Sequence, residues 1–538
     1  MKKKIFTIVW VALSCSLYAQ KPYVSQVWSP DNGDGTYKNP VINADYSDPD
    51  AIRVGDDFYM IASSFDQVPG LPILHSKDLV NWKIIGHALQ RQVPLEVFNK
   101  NQHGNGVWAP AIRYHKDEFY IYYPDPDFGI YVTKAKNITG PWSDPVLVDA
   151  GSGLIDPCPF WDEDGKVYLS IAYAGSRAGI KSILVMKELN AEGTKVINNG
   201  VMVYDGHGID PTIEGPKIYK RNGYYYLFAP AGGVATGWQL VLRSKSIYGP
   251  YERKIVMEQG KTSVNGPHQG AWVHTQTGED WFLHFQDKEA IGRVVHLQPM
   301  KWINNWPVIG EDKDGDGTGN PVLKYKKPNV GKTHPIQNPA ESDEFNDLVL
   351  GLQWQWQANP QATWSFMNTQ RGALRLFAHP VEKDQTLWNT PHVLLQKFPH
   401  DAFTATAKIS FTPSEKFTGE KAGLTTMAMN YGSIAIKRKQ DASYIVFTSC
   451  EKADRGGKET EKELMKLNQK EVYFRMQFKA DTTCVFSYSL DGKKFTEAGS
   501  IKSTPGKWIG SKVGLFITSD VKINDAAFID VDWFRITK

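Results

Sequence analysis

The sequence predicts an all-β protein in two parts, a five-bladed β-propeller followed by a C-terminal β-sandwich. Three observations carry this. Five segments between Ser47 and Phe285 are variants of one pattern. Dense Gly, Asp, Asn and Lys turns split each of them into two strand-like runs. Beyond residue 340 at least nine further short apolar or alternating runs follow, again divided by turns.

The five segments are SDPDAIRVGDDFYMIAS from Ser47, VWAPAIRYHKDEFYIYYP from Val107, IDPCPFWDEDGKVYLSIA from Ile155, IEGPKIYKRNGYYYLFAP from Ile213 and HQGAWVHTQTGEDWFLHF from His268. Each opens on a small or Pro-containing corner, with Pro49, Pro110, Pro157 and Pro216 aligned and Gly270 in the fifth. Repeats about 50–60 residues apart have the length of propeller blades, each a four-stranded sheet. Residues 21–310 carry them, with no convincing amphipathic helix. Residues 311–340 are rich in Gly, Pro, Lys and Asp and read as a surface linker. Asp312, Asp314, Asp316 and Gly317 resemble the start of a calcium loop, but Leu323 stands where its last acid belongs, so a solvated acidic turn is expected. Residues 341–538 read as the sandwich, with GKETEKELMKLNQKE as a helix-like or loop insertion.

At 538 residues the chain is too long for one small core, which fits two domains. A net charge of +3 without a basic block argues against nucleic acid as a partner. Lys2 to Lys4, the apolar run Ile5 to Leu13 and Tyr18-Ala19-Gln20 read as an export signal over residues 1–20, cleaved after about Ala19. The expectation is a periplasmic or secreted protein with no membrane span, since that apolar run is too short to cross a bilayer. Removing the signal leaves Cys158, Cys450 and Cys484, an odd number that argues against a disulfide framework. Cys450 and Cys484 remain candidates for a pair, and Cys158 reads as a buried thiol.

Asp48, Asp156 and Glu214 stand at the start of equivalent strands in repeats one, three and four. Inner-strand ends of a propeller meet at its axis, so three carboxylates distant in sequence are expected in one pocket. Asp-Pro and Glu-Gly-Pro corners also cap turns, but that explanation weakens when three acids share the repeat position. Asp45 and Asp50 read as structural; alternation points Asp50 away from the face of Asp48. The chemistry suited to such a set is inverting glycoside hydrolysis. One carboxyl protonates the leaving oxygen and another activates water on the opposite ring face, with the two roughly 6.5–9.5 Å apart. A third carboxylate beside the acid would raise its pKa by repulsion. The 17 Trp, 24 Tyr and 25 Phe mostly serve β cores, leaving a few as sugar-stacking surfaces.

The segment NPVINADYSDPDAIRVGDDFYMIASSF resembles the opening of glycoside hydrolase family 43, and GVWAPAI, GLIDPCPFWDEDGKVYL and IEGPKIYKRNGYYYLF match its other hallmark stretches in order. The resemblance covers residues 38–310 and implies a five-bladed catalytic propeller that inverts configuration. It implies Asp48 as general base, Glu214 as general acid and Asp156 as the residue that tunes and orients the acid. It further implies that Arg293, Trp108 and Phe65 contact the sugar, and that His268 is a candidate contact of a bound calcium or water. No cofactor is required. Tyr46-Ser47-Asp48-Pro49 departs from the family's common His-Pro-Asp-Pro corner, which touches substrate detail and keeps the base. The C-terminal part resembles the concanavalin-like accessory domain of two-domain xylosidases and arabinofuranosidases.

The resulting expectation is an exo-acting enzyme that removes terminal α-L-arabinofuranose from plant cell-wall glycans, with β-D-xylose as the alternative sugar. Fructan-cleaving propellers would show Asn-Asp-Pro-Asn, Arg-Asp-Pro and Glu-Cys, where this chain has Ser-Asp-Pro-Asp, Ile-Asp-Pro and Glu-Gly-Pro. A carbohydrate-binding protein on a dead propeller would be expected to lose one of the three acids, and all three are present.

Overall fold

The computed structural model describes residues 22–538 apart from 383–384, 441 and 523–524. The segment read as an export signal lies outside the described residues. Among the described residues, five four-stranded antiparallel sheets occupy 50–89, 111–150, 154–205, 217–257 and 268–309, each with its strands in sequence order. They are the blades of a propeller. The local chemistry is plain in blade 4. Lys217–Arg221 and Tyr224–Ala231 pair from Arg221↔Tyr224 to Lys217↔Phe228 across an Asn222-Gly223 turn, both residues at positive φ (51° and 72°). That is the conformation a tight two-residue hairpin demands.

Alternation then hands each face of a strand to a different neighbour. Tyr226 and Phe228 pack with Phe282 and Met300 of blade 5. Leu227 and Ala229 between them pack with Tyr168 and Met186 of blade 3. Similar cores join blades 1 and 2 through Ile61, Ile112 and Ile121, and blades 2 and 3 through Tyr122, Leu169 and Val185. The ring closes where Phe58 and Met60 of blade 1 meet Ala271, Trp281 and Leu283 of blade 5. Blade 5 supplies all four of its own strands, and the N-terminal segment is tied to it by paired Ile42 and Val295 hydrogen bonds (3.2 and 3.0 Å).

The stretch 311–340 is pinned down rather than loose. Lys324–Lys326 pairs with Thr36–Lys38, and the Gly319 and Asn338 N–H groups donate to the Val256 and Tyr23 carbonyls. Asp312, Asp314 and Asp316 gather their carboxylates, but Asp312 accepts the Gly315 and Gly317 N–H groups at 2.7 and 2.9 Å and Asp316 accepts that of Thr318. They close a turn.

The C-terminal part is a two-sheet sandwich, with, among the described residues, one sheet of eight strands facing one of seven. GKETEKELMKLNQKE is no helix: Glu459–Leu467 is the edge strand of the larger sheet. Its glutamates alternate with period two. Lys437 reaches Glu461 at 2.8 Å, Lys439 reaches Glu463 at 2.5 Å, and Lys421 lies 3.1 Å from Glu461. Cross-strand ion pairs override helix propensity here, and the charged edge discourages further strand pairing. Cys450 and Cys484 lie in opposite sheets and, with Cys158, are buried and free among the described residues. The sandwich core also takes in Val27, Ala290, Ile291 and Val294 from the propeller side, so the two domains share apolar packing.

Candidate active site

Asp48, Asp156 and Glu214 line one cavity of about 270 Å³ at the propeller axis, together with Phe65, Trp108, His268 and Arg293. A site of this size sits just below the roughly 300–1,000 Å³ typical of drug-sized ligands and suits one or two sugar rings.

The repeat explains the convergence, with one shift. Numbered from the aligned corner, the five blades place Asp48, Ala109, Asp156, Gly215 and Gln269 at the same position. Asp48 and Asp156 are both at φ 56°, Gly215 at 60° and Gln269 at 33°. Glu214 therefore stands one residue ahead of the acids of blades 1 and 3. Gly215 takes the left-handed turn, and its N–H donates to Asp156 Oδ2 at 2.7 Å. Phe65, Thr212 and Trp508, which also line the cavity, have positive φ as well. Strained backbone thus concentrates around one pocket, a pattern seen where side chains are aimed for function.

Asp48 is 5% exposed. Its Oδ2 accepts hydrogen bonds from the Ser47 and Ser63 hydroxyls, both 2.6 Å. Arg293 approaches Oδ1 at 3.3 Å and also donates to Ser47 Oγ at 2.9 Å, while its guanidinium lies 4.9 Å over the Phe285 ring. The carboxylate is held in one orientation beside a positive charge. Arg293 thereby serves Asp48 as well as lining the cavity.

Glu214 is the more open acid, its side chain 24% exposed. His268 Nε2 sits 2.8 Å from Glu214 Oε1. Asp156 is 2% exposed. Burial first, and the charge of Glu214 second, push its carboxyl up to about 8, with Asp48 adding to the rise. The Gly215 N–H and the nearby Lys217 ammonium pull the other way. The carboxyl on which repulsion within the acid cluster is seen is Asp156, which is cut off from water.

His268 Nδ1 is buried with no hydrogen-bond partner among the described residues. Calcium takes six to eight oxygen ligands, waters included; among the described residues the acidic groups clustered closely enough to hold an ion are Asp312, Asp314 and Asp316 of the surface turn. The free His268 nitrogen is the feature at this site that a water or a hydrated ion would meet.

Trp508, Gln269 and Thr212 line the cavity without having been singled out in the sequence. Trp508 comes from the sandwich, in the loop Gly506-Lys507-Trp508-Ile509-Gly510. Its ring meets Trp108 edge-on, centroids 6.1 Å apart. The loop fits through close backbone approaches. A Cβ on Gly510 would lie 2.4 Å from the Ile291 carbonyl, and one on Gly104 would lie 2.8 Å from Lys507 Cβ. Asp45, 3% exposed, accepts the Arg293 N–H with Oδ1 and the Gly510 N–H with Oδ2, both at 3.0 Å, tying the two domains together at the site. Asp50 stays apart from this cavity, paired with Arg113 at 2.7 Å. The signal for Trp508 was a tryptophan between two glycines, but no repeat marked it.

This arrangement, an axial cluster of acids in a five-bladed propeller capped by a sandwich loop, is that of a carbohydrate-cleaving enzyme. The chain belongs to glycosyl hydrolases family 43, whose family model matches residues 37–307; residues 342–537 match the beta xylosidase C-terminal concanavalin A-like domain. It is thus a glycosidase with a carbohydrate substrate. Over 552 residues it is 34% identical to the "Beta-xylosidase" of Formosa agariphila, covering 94% of this chain and 90% of that one. Over 532 residues it is 30% identical to a "Non-reducing end alpha-L-arabinofuranosidase" of Bacteroides ovatus, covering 93% and 94%. The crystal structure of a mutant family 43 protein from Bacillus licheniformis superposes with a TM-score of 0.80 at 29% identity, covering 93% of this chain and 99% of that one.

Proposed function

We propose that this protein is an exo-acting, inverting β-D-xylosidase that releases terminal xylose from plant-derived oligosaccharides. The observation that carries the exo reading is Trp508: a side chain from the second domain closes one side of a small cavity that already holds the acids. A groove for mid-chain cleavage would run open past that point. The choice of xylose over the arabinose expected from sequence follows the relatives, since the one named a beta-xylosidase is the more alike of the two described above. α-L-Arabinofuranose remains the second reading, supported by the Bacteroides ovatus relative.

In the proposed reaction Asp48, fixed by Ser47, Ser63 and Arg293, accepts a proton from water as that water attacks the anomeric carbon. Glu214 protonates the leaving oxygen from the other side. The Asp156 carboxyl, pushed up by burial and by the charge of Glu214, stands beside the acid and orients the turn that carries it through the Gly215 N–H.

The test is a side-by-side assay of nitrophenyl β-D-xyloside and nitrophenyl α-L-arabinofuranoside. The reading expects the higher kcat/KM on the xyloside. A preference for the arabinofuranoside would install the second reading, and no turnover of either would end both.

A further inference from the structure

Gln269 occupies, in blade 5, the position at which blades 1 and 3 place Asp48 and Asp156. It carries three marks of a side chain held in place by its surroundings. The pairing of His268–His274 with Asp280–Asp287 slips between His268 and Gly270, so Gln269 sits in a β-bulge. Asp156 sits in the corresponding slip of blade 3, between Ile155 and Cys158. Bulges beside active sites redirect a side chain. The Gln269 backbone is at φ 33°, a conformation that costs a non-glycine residue energy. The residue is 4% exposed and lines the cavity, yet its Oε1 has no hydrogen-bond partner among the described residues. A buried polar atom without a partner calls for an explanation.

Packing explains the reach of the side chain but leaves the amide unaccounted for. A Cβ added to Gly215 would lie 2.8 Å from Gln269 Cγ and 2.9 Å from Cδ. The stem therefore lies flat on the turn that carries Glu214, which only glycine permits. An apolar residue of equal length would fill that space without leaving a buried acceptor.

We infer that Gln269 is a specificity-determining residue whose Oε1 accepts a hydrogen bond from one ring hydroxyl of the terminal sugar. The inference rests on the β-xylosidase reading proposed above. Three of the five equivalent blade positions then carry groups that face the sugar: the base, the buried acid and this amide. A site built around a hydroxyl donor rejects analogues that lack it, because the acceptor is left buried and unpaired.

The experiment measures kcat/KM of wild type, Gln269→Met and Gln269→Gly on nitrophenyl β-D-xyloside and on its 2-, 3- and 4-deoxy analogues. Methionine keeps the length and flexibility of glutamine, and glycine suits the local φ, so one folded variant is enough. Wild type should penalise one deoxy analogue by roughly 5- to 150-fold more than that hydroxyl is worth to either variant. In the variants the penalty at that one position should collapse, while those at the other two stay at wild-type values. An active wild type whose variants lose a uniform factor on all four substrates would overturn the inference alone. A wild type inactive on all four xylosides would overturn the β-xylosidase reading and this inference with it.

Discussion

Asp156 and Glu214 share a cavity but differ in their surroundings. Glu214 keeps contact with solvent and with His268; Asp156 has neither. With its carboxyl pushed up to about 8, Asp156 binds a proton in the folded state that the unfolded chain has given up above its ordinary 3.8. Stability must then fall as pH rises through the window between those values, and level off above it. Asp156→Asn removes the ionisable group and keeps an acceptor for the Gly215 N–H. Its melting temperature relative to wild type should climb between pH 4 and pH 8.5, followed by differential scanning fluorimetry; a flat difference would put the proton elsewhere. Glu214→Gln should reduce turnover of unactivated xylo-oligosaccharides by about 10²–10⁴-fold, the worth of general acid help, and of nitrophenyl substrates far less. Equal losses on both would remove Glu214 as the acid. Asp48→Asn should abolish hydrolysis whatever the leaving group, as measured by product release on both substrate types.

At the scale of elements the active site is a property of loops from both domains. Trp508 depends on Gly510, whose N–H reaches Asp45 and whose missing side chain lets the loop pass Ile291. Trp508→Ala should lower kcat/KM on oligosaccharides by roughly 2- to 12-fold, the value of an aromatic contact of about 0.5–1.5 kcal/mol. Nitrophenyl xyloside turnover should change less than that in the same preparation. The blades were legible from sequence because one turn chemistry recurs five times. The acids were legible because Asp48-Pro49 and Asp156-Pro157 recur at its corners. The one-residue offset of Glu214 was hidden, since only the backbone shows that Gly215 and not Glu214 makes the turn. Trp508 and the Asp45 bridge were hidden for another reason: no local pattern says which sandwich loop reaches the propeller. The Glu459–Leu467 strand was misread because Glu, Lys, Leu and Met favour helix, although the period-two glutamates at 459, 461 and 463 were already a strand signal.

Over the whole molecule the propeller supplies convergence and the sandwich supplies enclosure. Five blades closed by apolar contacts bring residues 48, 156, 214, 269 and 293 to one axis. The sandwich, whose core is continuous with residues 27, 290, 291 and 294, is fixed against that ring and lays Trp508 across the cavity. In the proposed reaction water reaches the sugar from the side of Asp48 and a proton from the side of Glu214, both of which line that cavity. Proton NMR of the first sugar released from a β-xyloside tests that two-sided geometry most directly. The account predicts α-xylose as the initial product, converting to the anomeric mixture only later. Initial release of β-xylose would mean a covalent intermediate and would contradict the assignment of Asp48 as a base acting through water.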